Sequence, residues 1–120
     1  MSMDLSKILE NPGTEDKIRV RQVYRMHGIA LWSVRGEVVR DDLDVDFVGG
    51  GHHHRHDYIP EGEIWVERAM SRKDFALTAA HEMSELCLIR RGWDHEKAHE
   101  AAARIERNLR HARGRDCTQG

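Results

Sequence analysis

Two cysteines in 120 residues are too few for a disulfide framework. Cys87 sits among apolar residues and Cys117 lies in a polar stretch, so a reducing compartment is the plain expectation. No apolar run approaches the ~20 residues of a membrane span. The opening MSMDLSKILENPGTED has no basic start followed by an apolar core, so it does not read as a secretory signal. A cytoplasmic protein without a membrane partner is therefore expected. An excess of one charge is also missing: 19 Lys and Arg stand against 21 Asp and Glu, a formal net charge of -2. Arg104, Arg107, Arg110 and Arg113 do recur. Glu100 and Glu106 dilute them and no aromatic platform accompanies them, so nucleic acid is not an expected partner. The chain shows neither an internal repeat nor a low-complexity linker.

Histidine is what the chain has in excess, at nine residues. Imidazole ligates metals and titrates near neutrality, so the surplus fits metal binding or a pH response. The length suits one domain with a modest core. The expected organisation is an N-terminal arm over 1–14, a single α+β domain over 15–113 and a flexible tail over 114–120. Thr14 followed by Glu15 and Asp16 reads as an N-cap with first-turn acids, which predicts a helix to His27 that buries Ile18, Val23 and Met26 and ends at Gly28. Alternation of Ile18 and Val20 leaves a strand open. The run IALWSV at 29–34, a return arm at Glu37–Arg40, alternating Leu43, Val45 and Phe47, and Glu63–Glu67 predict a small sheet of about three or four strands. Gly49–Gly51 precede His52-His53-His54-Arg55-His56, a loop in which His52 is the best-placed donor, because the glycines let its backbone come close to a site.

From Arg72 to Arg91 the pattern turns helical. At about 100° per residue, apolar side chains surround a narrow polar notch made of Thr78, His81, Glu82 and Glu85. Carboxylates in so apolar a helix are costly unless paired or metal-bound. Arg90-Arg91-Gly92 closes this helix and Asp94 caps the next, from His95 to Arg113, so the two form an αα-hairpin. Its second helix is expected to bury Ala98, Ala102, Ile105 and Leu109. Trp65 and Trp93 read as core or hairpin-turn anchors. Folding at Gly92 makes Glu85 and His99 neighbours, each seven residues from the turn, with His81 one turn deeper. Two imidazoles and a carboxylate then converge, a set that suits zinc with an open position for water. Glu82 is placed to act as general base.

His81-Glu82-Met83-Ser84-Glu85 resembles the HExxH helix of zincin metallopeptidases, with Glu85 where the second histidine stands. The resemblance covers Glu63 to Glu106. It implies a zincin-like order of small sheet, motif helix and later ligand-bearing helix. The expected fold is therefore α+β and zincin-like: an N-terminal helix, a small sheet of three to four strands and a C-terminal αα-hairpin. By the same resemblance His81 and His99 are zinc ligands, Glu82 is the catalytic base and the substrate is a peptide or protein. His95-Glu96-Lys97-Ala98-His99 matches the pattern literally but lies at a helix start with no apolar shell before it. Two other classes stay open. Glu82, Glu85 and Glu96-x-x-His99 have the spacing of carboxylate-bridged di-metal bundles, which would need a homodimer to supply four helices. A non-catalytic structural or interaction module is the third.

Overall fold

A computed structural model describes residues 17–119, with side chains through Ala112; the expected arm at 1–14 lies outside the described residues. The chain divides into two compact units, one up to Ala69 and one from Met70. The described residues are α+β, with a four-stranded mixed sheet and three helices. No helix among the described residues is long and apolar enough to cross a membrane.

The first unit holds the sheet. Strand β1 (Arg19–Met26) turns into β2 (Ile29–Val34), helix α1 (Gly36–Asp42) follows, and β3 (Gly50–His52) and β4 (Glu63–Glu67) complete it. The spatial order is β1-β2-β4-β3, with β2 and β4 parallel and both outer pairs antiparallel. The β2–β4 crossover carries α1 and β3. Ile18, Val34, Val39, Phe47, Ile59 and Trp65 form the core, so Trp65 is the anchor expected of it. β4 is buried from Ile64 to Glu67, as befits a central strand.

Three expectations for this unit fail, each for a local reason. The helix to His27 is strand β1, and Val23 and Met26 are 38% and 37% exposed. His27 and Gly28 have φ of 53° and 76°, the two positive values that a two-residue type I′ hairpin turn demands. A left-handed glycine ends helices and makes such turns alike, hence the misreading. The return arm at Glu37–Arg40 is helix α1. The Gly36 N–H donates to Glu67 Oε2 at 3.0 Å, so a carboxylate from β4 caps the helix where Arg35 offers no side-chain cap. The Asp41–Asp46 edge strand is absent. Asp44 Oδ1 instead accepts from the Asp46 N–H at 3.0 Å, a local turn that competes with sheet pairing.

The second unit is the αα-hairpin of α2 (Arg72–Arg90) and α3 (His95–Gln119). Ser71 starts α2, its Oγ accepting from the Asp74 N–H at 3.1 Å. At the other end the Trp93 N–H reaches Leu88 O at 3.0 Å and the Gly92 N–H reaches Ile89 O at 2.9 Å. That pair of bonds is a Schellman motif, and Gly92 supplies the left-handed residue it requires, with φ of 97°. Asp94 then caps α3, its Oδ2 accepting from the Lys97 N–H at 3.2 Å. Ala98 and Ala102 are buried, whereas Ile105, Leu109 and Trp93 are partly exposed at 39%, 40% and 46%. α3 also runs past Arg113 to Gln119.

Candidate metal centre

The hairpin caps set the register that brings three donors together. His81 and Glu85 are one helical turn apart on α2, and their Nε2 and Oε1 atoms lie 3.4 Å apart. His99 on α3 offers Nδ1 at 3.3 Å from His81 Nε2 and 3.5 Å from Glu85 Oε1. The three atoms form a nearly equilateral triangle. Glu85 is fully buried, while the His81 and His99 side chains are 12% and 49% exposed. His81, Glu85 and His99 constitute a group able to hold a metal ion.

The second nitrogen of His81 has its own partner. Nδ1 lies 3.0 Å from Glu106 Oε1, and Glu106 Oε2 accepts from Arg110 at 3.2 Å. With its proton on Nδ1, His81 donates to Glu106 and turns the Nε2 lone pair toward Glu85 and His99. Three Lewis-basic atoms facing one point repel unless a cation sits among them, whether proton or metal. The Glu85 carboxylate, through its hydrogen bond, raises the His81 pKa above the ordinary 6.5, and the charges of Glu82, Glu85 and Glu106 add to it against burial.

Glu82 is buried on α2, with a carboxylate oxygen within 4.8 Å of one from Glu85. His52 belongs to the first unit, fully buried at the end of β3, where its Nδ1 accepts from the His54 N–H at 3.2 Å. His95 is exposed and is not among the donors gathered around His99. Glu106 was absent from the expected set, having been read only as a charge among arginines. Its signal was present: it follows His99 by seven residues, two turns along the same face.

Compared with known protein families, curated proteins and solved structures, the chain has no match.

Proposed function

We propose that the α2–α3 hairpin binds zinc and that the chain is a minimal zincin-like hydrolase of peptide or amide bonds. The observation that carries this reading is the donor triangle, with edges of 3.3, 3.4 and 3.5 Å. Ligands placed tetrahedrally at 2.0–2.1 Å from zinc stand about 3.3–3.4 Å from one another. Neighbouring ligands of an octahedral ion at similar bond lengths stand only about 3.0 Å apart. Paired imidazoles also disfavour calcium and magnesium, which take oxygen donors.

When bound, zinc supplies a Lewis acid that makes water nucleophilic near neutral pH. The exposed side of His99 supports access for that water. Glu85 contributes a negative ligand and His81 and His99 neutral ones, which leaves the centre net positive toward a carbonyl oxygen. Glu82, adjacent to His81 in sequence and close to Glu85, is suited to take the proton from water and return it to the leaving amine. The order of strand, His81-Glu82 helix, turn and His99 helix adds the zincin resemblance as support.

The test is cleavage of a mixed peptide library by zinc-loaded protein, read by mass spectrometry, with Glu82→Gln beside the parent. The expected result is cleavage by the parent and a loss of at least ~10²-fold in the variant at equal zinc content. A zinc-loaded parent without cleavage, or a variant as active as the parent, removes the hydrolase reading and leaves a zinc centre of another purpose.

A further inference from the structure

Three donors are not by themselves a centre, because a neutral imidazole carries its single ring proton on either nitrogen. His81 can ligate through Nε2 only when that proton is on Nδ1. The Glu106 carboxylate meets Nδ1 at 3.0 Å from the facing helix. It is itself held, since Oε2 accepts from Arg110 Nη2 at 3.2 Å and Arg110 Nη1 lies 3.6 Å from Asp74 Oδ1 on α2. A chain of charge-assisted contacts thus runs from the first turn of α2, through α3, to the back of the His81 ring.

We propose that Glu106 is a positioning residue of the centre: it selects the Nδ1–H tautomer of His81 and fixes the ring so that Nε2 faces the point shared with Glu85 and His99. The inference rests on the zinc reading above. A carboxylate behind a ligating imidazole orients the ring and makes it a stronger base, and its loss costs roughly 10- to 100-fold in metal affinity. Glutamine at this position has no charge. Turned one way its carbonyl still accepts from Nδ1–H; turned the other its amide donates to Nδ1 and moves the ring proton to Nε2, the ligating atom.

The experiment uses the full chain. Zinc affinity is measured by competition with a chromophoric chelator for the parent, Glu106→Gln and His99→Ala. Visible spectra of the cobalt-substituted proteins and melting of the metal-free proteins are recorded beside it. The expected result for Glu106→Gln is zinc binding about 10- to 100-fold weaker at unchanged one-to-one stoichiometry, with an altered cobalt spectrum and a metal-free melting temperature close to the parent's. His99→Ala loses stoichiometric binding. If Glu106→Gln binds zinc within about twofold of the parent with the same cobalt spectrum, Glu106 is only a tie between helices and the proposal is overturned, whatever happens to melting. Should that variant not fold, Glu106→Asp keeps the charge on a shorter arm. Weakened zinc binding there supports the proposal and parent-like affinity overturns it. A parent that binds no zinc is a separate outcome, which ends the zinc reading and this inference with it.

Discussion

At the residue scale, His81 is where most of the chemistry meets. Its Nδ1 faces Glu106 and its Nε2 faces Glu85 and His99. In the metal-free protein the surrounding carboxylates favour the imidazolium, so its pKa is raised above 6.5. The folded chain therefore holds a proton over a pH window in which the unfolded chain has released it. The resulting stability is fully present below about pH 6.5 and is lost as pH rises through the folded-state value. Zinc requires the neutral ring, so its affinity rises with pH across the same window. Melting of metal-free parent and His81→Gln from acid to mild alkali checks this. The parent's advantage shrinks as pH rises; parallel curves for the two proteins would contradict it. That His81, Glu85 and His99 would be neighbours was legible in the sequence, because a cap-to-cap hairpin with a fixed turn brings together positions equidistant from Gly92. Glu106 shares the face of His99 by its seven-residue spacing, yet an acid on an Arg-rich helix looks solvated until the opposite helix is in place.

At the scale of elements, the helices of the hairpin and the strands Ile29–Val34 and Glu63–Glu67 were readable, whereas β1, α1 and the turn at 44–46 were not. Ser71, Gly92 and Asp94 act within a few residues of themselves, so their caps are written locally. α1 depends instead on Glu67, 31 residues away, and Val38-Val39 next to that unseen cap look like a strand. β1 is an edge with seven exposed positions, so beyond Ile18 and Val20 little apolar alternation marks it as a strand. The Glu67 carboxylate caps Gly36, pairs with Arg40 at 3.2 Å and lies where any side chain at position 36 would project. Gly36→Ala forces that carboxylate away and breaks its bond to the Gly36 N–H. The expected cost is about 1–3 kcal/mol of stability, read from urea unfolding, with zinc stoichiometry unchanged. A variant as stable as the parent would mean that the non-local cap does not hold α1.

At the scale of the whole molecule, the division of labour is plain. His81, Glu85, His99 and Glu106 all belong to the unit that begins at Met70, while the sheet unit carries the core built on Trp65 and the buried His52. A centre made by one hairpin needs no second chain to complete its donor triangle, unlike a four-helix di-metal bundle. The most direct measurement is elemental analysis of tag-free protein after metal stripping and reconstitution, for the parent, His81→Ala and His99→Ala. The account predicts about one zinc per chain in the parent and near-complete loss in both variants. A parent without zinc, or variants that keep it, would contradict the account and leave His81, Glu85, His99 and Glu106 as a proton-bridged network that ties two helices together.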